Sequence, residues 1–543
     1  MSFSTRVLIV NNIKLSVNAS AEEAFSVAKK RIKKLSFNKQ SLKFSLYRKS
    51  IDARNKQDIK QVFSVAVRGD FDGVSEKELV GDDILFHELK QSKQINVGCE
   101  RMSAPPLVVG SGPAGLFAAL TLAEMGYAPI LIERGGSIAE RKSSVERFNK
   151  LQILDTESNV QFGAGGAGTF SDGKLVTRIN DPLSSLVLKR LVDFGAPEEV
   201  LYLAKPHIGT DILAPIIDRI INEIVRLGGR VMFHTRYLSS VKKSGISVAL
   251  TSKGEIEYGA LVLAIGHSAR DTYHSMINDG FSIEAKPFSV GMRIEHLTEK
   301  IDKALYGDFA GHKNLGHAEY NLSHNTKLRG VYTFCMCPGG EVVAAASEEG
   351  GLAVNGMSYH SRAGKNSNSA VVCSIFKDDY GATPLKAIEF QRNIEKAAFL
   401  SGGGNYSAPI VTVGDFLNDR CITEPRDIEP SYMAASKSVK LASPKDYLPG
   451  FVCDSIKNAL YDFDKKIKGF AESAAVLTGA ETRTSSPVRI LRNDATRLAL
   501  GTDNIYPCGE GAGYAGGITS AAIDGLKTAF SIIERYKPCN TGG

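Results

Sequence analysis

The stretch PLVVGSGPAGLFAALTLAEMGYAPILIERG, residues 106–135, constrains the fold more tightly than any other part of the chain. Leu107, Val108 and Val109 read as a short buried strand. Gly110, Gly112 and Gly115 follow it with the G-x-G-x-x-G spacing of a βαβ dinucleotide unit. Gly110 permits the tight turn, Gly112 lets the backbone approach a pyrophosphate, and Gly115 lets the helix pack on the strand. The helix through Leu116, Ala119, Leu120 and Ala123 starts at that turn, so its first amides and its dipole face the phosphates. PILIE is the second strand, and Glu133 at its end can accept hydrogen bonds from a pair of ribose hydroxyls. Its charge disfavours a 2′-phosphate, which argues against NADP here but does not separate NAD from FAD.

The rest of the sequence frames that unit. At 543 residues the chain is too long for one ordinary core, and roughly 100–200 residues per domain implies about three structural units. With 43% hydrophobic and 23% charged residues it has a soluble globular composition. No apolar run approaches the roughly 20 residues of a membrane span. The opening MSFSTRVLIVNNIKLSVN lacks a signal-peptide core and cleavage site, so the expected location is the cytoplasm. The cysteines, Cys99, Cys335, Cys337, Cys373, Cys421, Cys453, Cys508 and Cys539, form no C-x-x-C pair, and neither a disulfide framework nor a metal site is expected.

Residues 1–102 hold 19 Lys/Arg against 12 Asp/Glu, an excess equal to the whole chain's net charge of +7. RVLIVNNIKLSV is β-like, and SAEEAFSVAKKRIKKLS places Ala21, Ala24, Phe25, Ala28, Ile32 and Leu35 on one helical face behind a Ser20/Glu23 capping box. LKFSLYRKS and IKQVFSVAVRGD are two further β-like runs, giving a small β-α-β-β module. Its basic face, Lys29, Lys30, Arg31, Lys33 and Lys34, reads as solvated surface; the sharper alternative is a weak nucleic-acid or acidic partner, although aromatics for base stacking are not interleaved. NVGCERMSAPP, with Pro105 and Pro106, is the linker to the βαβ unit.

Two later stretches choose between NAD and FAD. Residues 228–271 read as a strand through Val231 and Phe233, an antiparallel meander, and a buried strand ALVLAIG ending on Gly266. DNIYPCGEGAGYAGGITSAAIDGLKTAFSIIERY gives a strand, a glycine loop, and a helix that buries Ile518, Ala522, Leu526, Ala529 and Ile533. Together, VVGSGPAG…LIERG, LVLAIG and IYPCGEGAGYAGGITSAAIDG resemble the FAD-binding fold of the glutathione reductase class. The span from about 105 to 540 resembles a bacterial family of FAD-dependent dehydrogenases of unassigned substrate, to which GGAGTFSDGKL, KPHIGTD, KPFSVGMRIEH, FCMCPGG and TRTSSPVRI are similar.

The resemblance implies FAD as cofactor, with Glu133 on the adenosine ribose, the Tyr237 backbone on the adenine and Gly266 close to the cofactor. It places Gly509 and Glu510 at the ribityl chain or pyrophosphate, and the amides around Gly517, Ile518 and Thr519 at the flavin N1–C2=O edge. Glu510 stands where many proteins of this class have Asp, so its ribityl contact is displaced or water-mediated. A helix N-terminus, with about half a positive charge, suits the anion of reduced flavin whatever the family. Gly110, Gly112, Pro113, Ala114, Gly115 and Arg134 complete the first turn's share of the site. The loop QFGAGGAGTFSDGKL, residues 161–175, has G-x-G-x-x-G spacing at Gly163, Gly165 and Gly168 but runs into polar residues and Pro182. It reads as a loop along the flavin, Gly165 and Gly166 allowing close approach and Ser171 or Lys174 offering polar contacts.

No redox-active cysteine pair lies in residues 100–334, and no second βαβ unit is complete, so NAD(P)H as electron donor would bind transiently over the flavin or through a site without a sequence signature. GVYTFCMCPGGEVVAAAS reads as a hairpin turning at Pro338, Gly339 and Gly340. Cys335 and Cys337 then share one strand face, where a disulfide would be strained; they read as packing thiols, or as a thiol lining the flavin pocket, with Cys337 the better candidate. His267, Arg270 and Asp271 follow Gly266. A histidine there suits proton traffic beside hydride transfer, a structural hydrogen bond being the plainer reading. Tyr359, His360, Arg362, Lys365 and Asn366 form a polar loop, solvated or binding an anionic substrate, and Arg293 with His296 is a weaker set. His267, Cys337 and Arg270 are the candidate catalytic residues.

The expected fold is α/β: a discontinuous Rossmann-like FAD-binding domain of residues 103–280 and 481–543, an inserted α+β substrate domain of 281–480, and the N-terminal α+β module of 1–102. The expected function is FAD-dependent oxidoreduction of an unassigned small molecule through flavin N5. The alternative is a structural or sensory FAD with a basic module that binds RNA or another macromolecule. The oligomeric state is not legible.

Overall fold

The computed structural model describes residues 6–35, 42–71, 79, 83–88, 95–177, 179–420, 422–432 and 439–539. Cys421 and the Lys34 side chain lie outside the described residues. Compactness divides the chain into two units. The first joins Met1–Ile95 with Pro197–Pro206 and Asp302–Ala318; the second comprises Asn96–Ala196, His207–Ile301 and Glu319–Gly543.

In the first unit, four antiparallel strands lie in the order Lys43–Asp52, Lys60–Arg68, Arg6–Ser16, Ile84–Glu88. The helix Ala21–Arg31 starts at the Ser20/Glu23 capping box and buries Ala24 and Ala28 against the sheet residues Phe63 and Val65. The fourth strand, ILFHE, extends the expected β-α-β-β pattern. Lys29 and Lys30 are exposed, whereas Arg31 turns back to donate to the Asn11 carbonyl at 2.7 Å. Leu203, from the distant segment, bridges to Lys49.

The second unit is built on the strand Leu107–Val109. It is central in a parallel sheet of order Ile505–Pro507, Leu261–Leu263, Leu107–Val109, Ile130–Ile132, Arg230–Met232. The helix Pro113–Glu124 is buried almost all round. An element apolar on every side has to be covered on every side. The C-terminal helix Ile518–Arg535 crosses it so closely that a methyl on Gly525 would stand 2.1 Å from the Ala114 carbonyl oxygen. The meander Tyr237–Lys243, Ile246–Thr251, Gly254–Glu257 forms a separate three-stranded sheet.

A seven-stranded sheet runs in the order Ser323–Asn325, Gly330–Cys337, Asn366–Ile375, Phe288–Leu297, Val476–Glu481, Ala408–Thr412, Val439–Leu441, antiparallel except for its last pair. The hairpin expected at residues 330–347 does not form. Gly330–Cys337 pairs with Asn366–Ile375, while Glu341–Ala344 pairs with Val354–Met357 in another sheet. The turn between them is pinned elsewhere: Gly364 N–H donates to the Gly339 carbonyl at 2.9 Å, and a methyl on Gly339 would meet the Arg362 carbonyl oxygen. Among the described residues no helix is long and apolar enough to cross a membrane.

Candidate functional site

The first glycine turn and the C-terminal glycine loop open on one cavity of about 420 Å3, within the roughly 300–1,000 Å3 usual for small-molecule sites. The helices Pro113–Glu124 and Ile518–Arg535 begin there, at Gly112 and Gly517, and neither start has a side-chain cap. Their first-turn amides are therefore left for a ligand, and the dipoles favour an anionic one. A methyl added at Gly266, Gly516 or Gly517 would meet no atom within 4 Å. Bare backbone thus lines space where side chains would otherwise stand. Two uncapped helix starts and a side-chain-free cradle fit the pyrophosphate and ring system of FAD.

Glu133 is the hub of this end. One carboxylate oxygen accepts from Ser111 N and Oγ at 2.9 and 2.7 Å, the other from Gly135 N and Gly163 N at 3.0 and 3.1 Å. It thereby joins the first turn to the 161–175 loop while still lining the cavity. That loop lies directly on the turn: Gly165 N–H donates to Ser111 O at 3.0 Å, and a methyl on Gly166 would stand 2.9 Å from Gly112 Cα. Arg141, which sequence reasoning passed over, holds the loop from beneath. Its buried guanidinium donates to the carbonyls of Asn159, Val160, Ala164 and Gly166 at 2.7 to 2.9 Å, and burial pushes its pKa down to about 9.

Of the expected cofactor residues, Gly110, Gly112, Pro113, Ala114, Glu133, Arg134, Gly166, Ser171, Lys174, Tyr237, Gly266, Glu510, Gly517 and Ile518 line the cavity. Gly115, Gly165, Gly509 and Thr519 stand behind the lining. A methyl on Gly115 would stand 1.8 Å from Gly110 O, one on Gly165 2.2 Å from Thr169 Oγ1, and one on Gly509 2.7 Å from Ala114 Cβ. Thr519 Oγ1 donates to Leu175 O at 2.8 Å, tying the helix start to the loop. Arg134 stacks on Phe162, 4.1 Å from the ring centroid, and pairs with Glu157 and Asp271 at 3.0 Å.

The expected catalytic residues separate. His267 lines the cavity, its Nδ1 2.9 Å from Ser268 Oγ. Burial, reinforced by the Arg483 and Arg270 charges, pushes the imidazole down to about 3, so it is neutral at physiological pH. Arg270 does not line the cavity. It is turned inward onto Glu395, Glu348 and Gln391 at 2.8 to 3.0 Å, and Arg483 also binds Glu395 at 2.9 Å. Burial alone would raise the Glu395 pKa, but the two guanidiniums hold it well below the carboxylate range.

Cys337 is fully buried, and the cysteine that lines the cavity is Cys335. The reason is a β-bulge. Phe334 pairs with Ala370 and Cys337 with Asn368, so this strand carries one residue more than its partner, and Cys335 takes φ +44°. The regular alternation on which the sequence reading relied does not hold there.

The seven-stranded sheet contributes Glu481, at the end of its strand, to the cavity lining, and Arg483 and Thr484 follow. Glu481 is buried against Arg293 at 3.1 Å, and burial raises its pKa to about 7; burial does the same to Glu510. Arg293 is a buried partner in this wall, and His296 is packed away with its Nε2 on Phe470 O at 2.7 Å. Arg362 is neither solvated nor free for an anion: it binds Asp172 at 2.6 Å and Glu319 at 2.7 Å. Lys174 lies 3.3 Å from Asp172 and donates to Met336 O. Asp172, Glu481 and Arg483 escaped sequence reasoning, and of the two thiols it weighed for the pocket, Cys335 rather than the favoured Cys337 lines the cavity. Only the strings GGAGTFSDGKL, FCMCPGG and TRTSSPVRI had marked their neighbourhoods.

Residues 287–484 match the model of the family described as FAD-dependent protein, C-terminal domain-like, and residues 8–68 match a domain of unknown function, DUF8436. The fold is distantly similar to glycine oxidase from Geobacillus kaustophilus, with 11% identity over 79% of this chain and 92% of that one and a TM-score of 0.32. It is as distantly similar to CtdE in complex with FAD, with 12% identity over 78% and 83% and a TM-score of 0.31. An uncharacterised protein of Clostridium beijerinckii is 48% identical over 533 residues, covering 97% of this chain and 98% of that protein. The chain belongs to one family with that Clostridium protein, carries an FAD-dependent-protein C-terminal domain over residues 287–484, and has FAD as its cofactor.

Proposed function

We propose that the protein is an FAD-dependent oxidoreductase acting on a small molecule, with residues 103–280 and 481–543 holding the cofactor and residues 281–480 supplying the substrate wall. One observation carries this reading: reactive groups line the same cavity as the cofactor cradle, where a purely structural FAD would need only packing. Cys335, Lys174, Asp172 and Glu481 stand there together with His267.

FAD bound there supplies the two-electron chemistry; the protein supplies orientation, electrostatics and protons. The two helix starts hold anionic groups. Glu481, with a pKa near 7, holds or releases a proton around neutrality. His267, neutral throughout, offers a fixed ring nitrogen rather than a charge. Val176 and Phe334 are exposed and line the cavity, giving its entrance an apolar rim. NAD(P)H is the proposed transient electron donor.

Anaerobic mixing of the yellow holoprotein with NADH, NADPH and a panel of reduced small molecules tests the reading. Rapid bleaching by at least one, reversed by a second substrate, is expected. An FAD that none of them reduces would overturn it.

A further inference from the structure

The four-stranded sheet of the first unit has two faces. Leu8, Val65 and Val67 pack with the helix residues Ala24 and Ala28, whereas Val7, Ile9 and Ala66 form a separate apolar floor on the other side. Cross-strand pairing fixes what stands on that second face. Ser45, Ala66, Ile9 and Leu85 make one row across it, flanked two residues on by Lys43 paired with Arg68 and by Val7 paired with His87.

A bulge between Leu46 and Arg48 inserts Tyr47 into the outer strand Lys43–Asp52, and a bulge re-aims the side chain it adds. The two outer strands of such a sheet stand about 14 Å apart. Yet the rings of Tyr47 and His87, one from each, approach to 5.8 Å between centroids. They do so by leaning inward over the row that holds Ala66 and Ile9. Both stay open to solvent, Tyr47 at 44%. Lys43 and Arg68 are exposed at one end of this face; Arg48, opposite Ser64 and also exposed, stands about 13 Å along the sheet from Arg68. The nearby carboxylates are engaged by other cations, Asp52 by Lys14 and Arg54 and Glu88 by Arg6.

We propose that this open sheet face binds a single-stranded nucleic acid, with bases stacked on Tyr47 and His87 and phosphates held by Lys43, Arg48 and Arg68. An aromatic ring gives any base a face to stack on, and cations on either side of the rings track the backbone. A duplex hides its base faces, so stacking selects single strands. An acidic protein would use the cations but has no need of the rings. The helix face with Lys29 and Lys30 offers charge alone, and no aromatics alternate with that basic run in the sequence. Folding supplies the rings instead on the opposite side of the sheet, from two strands that are distant in sequence. The inference stands apart from the FAD chemistry, since it uses only residues of the first unit.

The test is fluorescence anisotropy on the full-length holoprotein with a labelled mixed-sequence RNA of about 12 nucleotides, the DNA strand of the same sequence, and that DNA as a duplex. At least one single strand should bind at least about tenfold more tightly than the duplex, and the tighter strand identifies the polymer. Three phosphate contacts imply a weakening of about 20-fold between about 50 and about 200 mM salt. Tyr47→Ala should weaken binding at least about fivefold while Tyr47→Phe retains it. Lys43→Ala combined with Arg68→Ala should make the logarithmic salt slope shallower by about 1.4. Lys29→Ala combined with Lys30→Ala should leave the affinity as it is. An unchanged flavin-to-protein ratio and melting temperature show that each variant is folded. No binding of either strand at low salt, a duplex held as tightly, or a folded Tyr47→Ala variant with full affinity would overturn the proposal. So would displacement of the strand by polyglutamate at equal charge, which would mark the face as a site for an acidic protein.

Discussion

Single carboxylates decide much of this site's behaviour. Glu133 satisfies four buried donors at once, and each donor left unpaired costs about 1–3 kcal/mol. Glu133→Ala should therefore lower the melting temperature and reduce the flavin-to-protein ratio at least tenfold on purification; full FAD occupancy would refute the role. Glu481 acts through protons. The folded carboxyl keeps its proton up to about pH 7, whereas the unfolded one loses it near 4.5. The native state thus binds more protons between those values, and stability falls as pH rises across that window, by about 3 kcal/mol in all. Urea unfolding at pH 5 and pH 8 should show this slope, and Glu481→Gln should flatten it. If Glu481 donates during turnover, the reduction rate also falls through pH 7. His267→Asn should leave the pH profile between 5 and 8 in place, because that imidazole stays neutral there.

At the scale of elements, legibility followed the range of the contacts. The strand Leu107–Val109, its turn and its helix were readable because the constraint is local: a methyl on Gly115 would meet Gly110, five residues back. Gly330–Cys337 was misread because its partner, Asn366–Ile375, lies well beyond the nearby turn, and a bulge leaves no mark in a pattern of apolar residues. Arg270 was assigned to the cavity from its place after a strand, yet its partner Glu395 is 125 residues away. Glu395 ties together the helix Arg270–Asn278, its own helix Pro384–Ser401 and the segment after Glu481. Removing it leaves two buried guanidiniums short of their main counter-charge, and breaking a buried pair typically costs about 3–5 kcal/mol. Glu395→Ala should lose that much in denaturant titration, whereas Lys189→Ala, which removes an exposed pair, should change stability by about 0.5 kcal/mol or less.

Over the whole molecule, the order of the chain and the order of its compact units differ. Every residue that lines the FAD cavity lies in the second unit, but residues 197–206 and 302–318 belong to the first, with Met1–Ile95. Leu203 depends on its bridge to Lys49, His312 on Asn18 at 3.0 Å, and Asn314 on the Val17 carbonyl at 3.1 Å. Deleting residues 1–95 removes all of these partners and none of the cavity. The truncated chain should keep its FAD while trypsin cuts at Lys303 and Lys313, exposed in the full chain, faster than it does there; timed digestion with mass analysis, beside the flavin-to-protein ratio, measures both. A truncated chain as resistant as the full one would mean that the two segments hold without their sheet. Loss of FAD would mean that the first unit is required to keep the cavity intact. The expected combination, cleavage with FAD retained, requires that a module bounded by sequence at residue 102 be bounded in space by segments that sequence distance conceals.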